Sequence, residues 1–134
     1  MDQANANIQA NREALNNTNK RVAQNTADIA NHEQRIQKLE TETNSRFSNI
    51  DKRIDENKRQ ADAGIAGVAA MANIPQVTES ARFSVGAGIG ARGSEQAVAV
   101  GMSSRLSQSV IGKVSVAADT QQEFTVGAGV AVQW

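Results

Sequence analysis

The chain contains no cysteine, one proline, one tryptophan and three phenylalanines among its 134 residues. The lack of cysteine excludes disulfide bonds and thiolate metal sites. With so few large aromatic side chains, one copy would have difficulty building a globular core, which indicates that the chain associates with copies of itself. No run of eighteen apolar residues is present, so we expect no membrane-spanning helix of the usual kind.

Charge and histidine content argue against two further classes of function. Fourteen basic and fourteen acidic residues give a net charge of zero, and because the two signs are mixed along the chain we expect no nucleic-acid partner. His32 is the only histidine, so no Ser/His/Asp or Cys/His set exists, and we expect no enzyme and no metal site. Residues 1–5 are polar and lack the apolar core of a signal peptide, so an exported protein would carry its export signal upstream.

Composition divides the chain into two kinds of structure. All ten glycines lie from Gly64 onward, whereas residues 1–62 carry ten of the basic and ten of the acidic groups. Together with the patterns described below, this division predicts three segments: a coiled-coil stalk over 1–60, a small-residue helix and linker over 61–77, and four strands over 78–134.

Residues 1–60 carry a heptad pattern. Apolar residues recur every seven positions from Ile8 to Ile36, and no glycine or proline interrupts them. This spacing is typical of a parallel coiled coil. An eleven-residue step to Phe47 breaks the repeat, which then resumes. The predicted coiled-coil core comprises Ile8, Leu15, Val22, Ile29, Ile36, Leu39, Phe47, Ile50 and Ile54.

Polar residues occupy most of the positions three residues after these apolar ones. A buried Asn usually fixes the register and the number of helices. A second interpretation is that three Asn25 amides converge on the axis and hold an anion or water. The string Val22-Ala23-Gln24-Asn25-Thr26 resembles the V-x-x-N-T stalk motif of trimeric autotransporter adhesins. The resemblance implies an axial anion, such as chloride, at the Asn25 layer and no other cofactor.

Residues 61–77 predict a thin helix that ends near Pro75. Glycine inside a helix costs about 1 kcal/mol relative to alanine, so Gly64 and Gly67 require a reason. Close approach of other backbone is one such reason, and a helix of small residues could thread a narrow pore. The alternative is a frayed hinge between two domains. Proline removes an N–H and disfavours helical geometry in the preceding residue.

Four segments of alternating character follow, at 79–91, 95–106, 109–119 and 123–134. Each is long enough to span an outer membrane as a strand, which takes about 9 to 11 residues. Arg82, Arg105, Lys113 and Glu123 all share the parity of the small, polar face.

The other face of these strands is apolar. A cation facing lipid at the bilayer midplane would cost about 2 to 4 kcal/mol, so this segregation favours a membrane barrel, whereas a soluble sandwich would require bulky residues inside. The residues predicted to face lipid are Phe83, Val85, Ile89, Val98, Val100, Val114, Val116, Val126, Val130 and Val132. The small residues predicted to line the lumen are Gly64, Gly67, Gly86, Gly88, Gly90, Gly127 and Gly129.

Four strands cannot close a barrel, because the smallest outer-membrane barrels have eight, but a trimer supplies twelve. With four antiparallel strands per copy, the first strand begins on the side of the membrane where the chain ends. A stalk outside and a C-terminus inside therefore require the helix to cross the pore, which takes roughly 17 residues and places the crossing near residues 58–74.

The string Gly93-Ser94-Glu95-Gln96-Ala97-Val98-Ala99-Val100-Gly101, the four-strand block and the terminal aromatic together resemble the YadA-like membrane anchor of trimeric autotransporter adhesins. The resemblance implies a coiled coil plus a transmembrane β-barrel, built as a homotrimer in the Gram-negative outer membrane. It further implies export of a passenger through that barrel by type V secretion, a stalk exposed at the cell surface, and cell adhesion and virulence through a host ligand bound upstream. Trp134, in place of the commoner terminal Phe, would be the signal for the barrel-assembly machinery.

A rival interpretation is a soluble trimeric fibre foot, like that of a phage fibre, in which the strands form an intertwined β-prism. The sequence identifies neither the host ligand nor the passenger head.

Overall fold

The computed structural model describes residues 2–76, 78 and 80–134. It contains one α-helix followed by four β-strands. The chain separates into two compact units, Met1–Ile50 and Asp51–Trp134, which are described in turn. This division into two units does not test the boundaries of the three predicted segments, which remain predictions.

The helix α1 spans Asp2–Ala72. It begins with an acidic residue, Asp2, which favours the positive end of the helix dipole. It ends three residues before Pro75, and it continues through Gly64 and Gly67 without a break, so the helical prediction for this stretch is confirmed as far as Ala72.

In the first unit, α1 carries its heptad side chains in the open. Ile29 is 67% exposed and Phe47, at the end of the unit, is 62% exposed. An isolated helix gains little stability from propensity alone, and most helical stability in proteins comes from packing of an apolar face. An apolar stripe of this length is therefore incomplete in one copy.

The second unit contains four strands, β1 (Phe83–Arg92), β2 (Glu95–Arg105), β3 (Val110–Asp119) and β4 (Phe124–Val132). They form one antiparallel sheet in the order β1-β2-β3-β4. Strands that follow each other in the chain are neighbours in the sheet because short hairpin connections join them.

The first strand begins later than the alternation predicts. Residue 80 is in a turn, and the Ala81 N–H donates to the Thr78 carbonyl at 3.2 Å. Arg82 therefore precedes β1, although its carbonyl still accepts from the Arg105 N–H at 2.9 Å. Val77 and Glu79, which the sequence places at this junction, lie outside the described residues.

Two of the three hairpins contain a residue with positive φ. Gly93 has φ 58° in the two-residue turn between β1 and β2, a conformation that glycine adopts without steric cost. Gln122 has φ 63° between β3 and β4. There the Asp119 carboxylate accepts the backbone N–H groups of Gln121 at 2.9 Å and Glu123 at 3.1 Å, which stabilises the turn.

Candidate functional site

One face of the sheet is apolar and open. All ten residues predicted to face lipid are exposed, from Val116 at 36% to Ile89 at 77%. Cross-strand pairing keeps them together, since Ile89 lies opposite Val98 and Val114 lies opposite Ala128. A contiguous apolar surface of this kind marks a site of interaction with a membrane or another protein. Its contact with lipid remains a prediction.

The opposite face of the sheet is covered by the C-terminal part of α1. Ala66, Ala70 and Ile74 pack against Ala97, Ala99 and Ala117, with Met71 beside them. These side chains are short, so the helix and sheet backbones come close together. The sequence predicts a small-residue face here, but it does not single out these alanines as the core.

Glycines of β1 allow the closest approach. A Cβ atom at Gly88 would overlap the carbonyl oxygen of Ala70, and one at Gly90 would overlap the carbonyl oxygen of Ala66. At Gly86 it would lie 3.0 Å from the Ile74 Cγ2 atom. Gly88 and Gly90 therefore have no room for a side chain, because backbone atoms occupy the space, whereas at Gly86 the Ile74 side chain would have to shift.

These contacts follow a regular spacing, which we call the helix–strand ladder. Every second residue of β1 from Gly90 to Gly86 lies against every fourth residue of the chain from Ala66 through Ala70, both in α1, to Ile74, two residues beyond the end of α1. Four helical residues rise about 6.0 Å, and two strand residues rise about 6.6 to 6.8 Å. The two spacings nearly match, so the helix stays in contact with β1 over successive turns.

The other predicted lumen glycines differ among themselves. A Cβ atom at Gly67 would lie 3.2 Å from the Thr125 Oγ1 atom, and one at Gly127 would lie at an ordinary 3.6 Å from the Met71 Cε atom. Gly64 and Gly129 have no described atom within 4 Å of that position. The sequence does not separate these cases, because the five strand glycines predicted to line the lumen all lie on the small face of their strands.

Lys113 secures the end of the helix. Its Nζ atom donates to the carbonyl oxygens of Met71 at 3.2 Å and Ile74 at 3.1 Å. Cations are favourable at a helix C-terminus, where the carbonyl groups lack helical partners. The parity of Lys113 is as the sequence predicts, but its partner lies about forty residues away and carries no local signal.

A polar cluster lies where the β1–β2 and β3–β4 hairpins meet the helix, and we call it the hairpin-end cluster. The Arg59 Nε atom donates to the Glu95 carboxylate at 3.1 Å, and the Arg92 Nε atom donates to the Asp62 carboxylate at 2.9 Å. These two ion pairs join the helix to the strands, so they hold the helix at one position along the sheet.

Glu95 is the centre of this cluster, and it is only 2% exposed. Besides Arg59, its carboxylate accepts from the Thr120 hydroxyl and, at 2.9 Å, from the Gln121 Nε2 atom. A buried carboxylate is costly unless it is paired and hydrogen-bonded. Sequence reasoning missed this cluster, since its members come from three separate parts of the chain.

The remaining predicted site residues lie in the open. Asn25 is on the exposed surface of α1, and Trp134 is fully exposed after β4. Within residues 2–76, 78 and 80–134, no group of three or more His, Cys, Asp or Glu side chains is arranged to hold a metal ion. No helix among those residues combines the length and the apolar character needed to cross a bilayer.

Comparison with known proteins identifies the C-terminal part of the second unit. Residues 75–134 match the family model of the YadA-like membrane anchor domain. This segment is a YadA-like membrane anchor domain. The family resemblance seen in the sequence is thereby confirmed.

Two further comparisons each match about two thirds of the chain. The chain is 30% identical over 92 residues to the Adhesin YadA of Yersinia pseudotuberculosis serotype I (strain IP32953), which is 69% of this chain and 21% of that protein. It also matches the solid-state NMR structure of the membrane anchor domain of the trimeric autotransporter YadA, with a TM-score of 0.61 and 29% identity. That match covers 66% of this chain and 85% of the solved one.

The shared fold is a long helix followed by four antiparallel strands. The chain spans about a fifth of the length of the curated relative that it matches.

Proposed function

We propose that three copies of the chain close a twelve-stranded barrel that anchors an adhesin stalk in the outer membrane of a Gram-negative bacterium. The observation that carries this proposal is the difference between the two faces of the sheet. One face is apolar and exposed, and the other has glycine and alanine packed against a helix. A barrel whose lumen is filled by helices requires both faces to have this character.

The trimer is supported by the strand count and by the edges of the sheet. In the described part of the chain, β1 and β4 each have one neighbouring strand. Open sheet edges do not occur in the hydrocarbon region of a membrane, because each unpaired backbone group there costs several kcal/mol. Pairing β4 of one copy with β1 of the next removes all the edges, and the solved structure that matches belongs to a trimeric autotransporter.

The connections show which features share one end of the sheet, and placing the stalk outside the cell then assigns the membrane orientation. The β2–β3 turn, Trp134 and the start of β1 share one end of the sheet, which we assign to the periplasm. The hairpin-end cluster is then at the cell surface, where the helix leaves the lumen toward the stalk. Trp134 would contact the barrel-assembly machinery, and the lipid-facing residues would contact outer-membrane lipid.

We further propose that the barrel exports its own passenger before the helices occupy it. Glycine at the inward positions of β1 leaves space for a passing chain, and the helix–strand ladder then fills that space. The stalk would assemble outside as a parallel trimeric coiled coil through the exposed heptad residues. Adhesion to a host ligand would belong to a passenger upstream, whose target this chain does not specify.

Fractionation and electrophoresis test the anchor. The chain, equipped with a signal peptide and an N-terminal epitope tag, is produced in a Gram-negative host. We expect it in the outer-membrane fraction as an SDS-resistant trimer that runs as a monomer after boiling, with the tag accessible to protease on intact cells.

Two results would contradict these proposals separately. A trimer that stays in aqueous solution without detergent would favour the soluble fibre foot instead. A membrane trimer whose tag stays protected from protease would leave the anchor intact and remove the export role.

A further inference from the structure

The two open edges of the sheet limit how copies of the chain can join. This inference rests on the proposed trimeric barrel, and it concerns the seam between neighbouring copies. We propose that β4 of one copy pairs with β1 of the next in a single register, in which Ala128 lies opposite the partner's Ile89.

The register within one copy supplies the starting point. Val85 lies opposite Met102, Met102 lies opposite Val114, and Val114 lies opposite Ala128. Directly opposed residues therefore connect Val85 to Ala128 across the four strands. The partner residue that lies opposite Ala128 determines the shift along β1 between one copy and the next. We call this shift, counted in residues from Val85, the advance.

This advance must be an even number of residues. A shift by one residue would turn the apolar face of the next copy into the lumen, since successive side chains point to opposite faces. Advances of zero, two, four or six place Ala128 opposite the partner's Val85, Ala87, Ile89 or Ala91.

The tilt of the strands selects among these advances. Three equal advances add up to the shear of the barrel, and shear and strand number together set the tilt. A barrel whose shear equals its strand number has a tilt of about 36°, which an advance of four gives for twelve strands. An advance of two gives about 20° and an advance of six about 47°, from the ordinary rise and spacing of strands. Outer-membrane barrels have tilts of about 35 to 45°.

The length of the strands excludes the larger advance and the opposite sense. An advance of two would pair Phe124–Val132 with the partner's Ala91–Phe83 just as fully, so the tilt separates two from four. With an advance of four, β4 from Thr125 to Val132 lies opposite the partner's Arg92 to Val85, and Trp134 falls opposite the partner's Phe83. Counted to Val132, where β4 ends, an advance of six would leave the first four residues of β1 unpaired in the membrane, against two for an advance of four. An advance of four in the opposite sense would pair only the first three residues of β1.

Side-chain sizes also suit this register. On the outer face, Val130 would lie opposite the partner's Ala87 and Val126 opposite the partner's Ala91, so these two valines each meet an alanine, while Val132 would lie opposite the partner's Val85. On the inner face, Gly129 would lie opposite the partner's Gly88. Trp134 beside the partner's Phe83 would place two aromatic rings at the membrane interface, where outer-membrane barrels carry their aromatic girdle.

Paired cysteines test the register without background, because the chain has none of its own. Directly opposed residues have Cβ atoms about 4.5 to 5.5 Å apart and diagonal neighbours about 7 to 8 Å, whereas a disulfide needs about 3.5 to 4.5 Å. The test variant is I89C/A128C. Matched controls are A87C/A128C and A91C/A128C, which test advances of two and six on the same exposed face.

Each variant is assembled in detergent micelles, oxidised with copper phenanthroline, boiled in SDS and separated with and without reductant. We expect I89C/A128C to give mostly covalent trimer and both controls to give little. Because hydrogen-bonded and non-hydrogen-bonded pairs alternate along an antiparallel ladder, S84C/Q133C repeats the test on the inner face of the same register.

The outcomes separate this inference from the proposed function. Covalent trimer from A87C/A128C or A91C/A128C, with none from the two test variants, would overturn the register and leave the barrel standing. SDS-resistant trimers without any cross-link would overturn the register as well. Chains that remain monomeric in micelles would contradict the trimeric barrel itself.

Discussion

Substituting Gly88 by alanine tests the contact between helix and sheet with one added methyl group. Its Cβ atom would overlap the Ala70 carbonyl oxygen and lie 3.2 Å from the Ala70 carbonyl carbon and 3.3 Å from that of Asn73. Both neighbours are backbone, so no flexible side chain can move aside. The close carbon–oxygen contacts that proteins do show lie at about 3.3 to 3.6 Å, so the helix must retreat by about 1 Å.

The expected cost follows from this displacement. Forcing extra methyl groups into a packed interior usually costs about 1 to 3 kcal/mol. A trimer contains the substitution three times, so the total loss is about 3 to 9 kcal/mol if the three sites act independently. The intrinsic gain from replacing a strand glycine by alanine, about 0.5 to 1 kcal/mol per site, offsets part of it.

Gly127 provides the matched control, because it lies on the same inward face as Gly88 but meets only side-chain atoms, the Met71 Cε and the Ser115 Oγ, both at an ordinary 3.6 Å. Membrane trimers often unfold irreversibly, so the measured quantity is the temperature at which the SDS-resistant trimer dissociates at a fixed heating rate. We expect a clear fall for Gly88→Ala, a larger one for Gly88→Val, and little change for Gly127→Ala. Equal dissociation temperatures for Gly88→Ala and Gly127→Ala would refute the close packing of helix on β1.

Three further predictions concern other contacts of the anchor. Glu95→Gln removes the buried charge from the hairpin-end cluster and is expected to cost about 1 to 2 kcal/mol per chain, which should lower the dissociation temperature of the trimer. Glu123→Gln, at an exposed position, should not lower that temperature. Equal effects of the two substitutions would contradict a structural role for Glu95. Lys113→Met keeps an unbranched side chain but removes two charge-assisted hydrogen bonds, for an expected loss of about 1.5 to 3 kcal/mol. We expect faster amide hydrogen exchange in the last turn of the helix. An unchanged exchange rate would contradict stabilisation of the helix end by Lys113. Val100→Lys, at mid-strand on the apolar face, should destabilise the barrel in the membrane by about 2 to 4 kcal/mol and so reduce the amount recovered in the outer-membrane fraction. Gln96→Lys, near the strand end, should cost at most about 1 kcal/mol. Similar recovery of both variants would contradict contact with lipid.

The alternation of the strands could be predicted from sequence because it depends on neighbouring residues. Side chains two apart share a face whatever the strand packs against, so the exposed apolar face and the parity of Lys113 followed directly. The late start of β1 did not follow, because the turn before Ala81 depends on a backbone hydrogen bond rather than on hydrophobic alternation.

The contacts of the small face could not be predicted in the same way. Residues 85–89 and 126–130 have nearly the same sequence, Val-Gly-Ala-Gly followed by Ile or Val. Yet Gly88 meets the helix backbone, while Gly129 has open space beside it. The path of the helix across the sheet decides this difference, and that path depends on contacts between residues distant in sequence, such as Arg59 with Glu95.

The helix–strand ladder also has a mechanical consequence. A pull on the N-terminal end of the helical segment, directed along its axis, would load the contacts from Ala66 to Ile74 in shear. All of them would have to give way at the same moment, whereas a sideways pull would peel them apart one after another. A slip by a single step of about 6 Å would also separate Arg59 from Glu95 and Lys113 from the helix terminus. The anchor is therefore expected to resist traction along the stalk far better than bending across it.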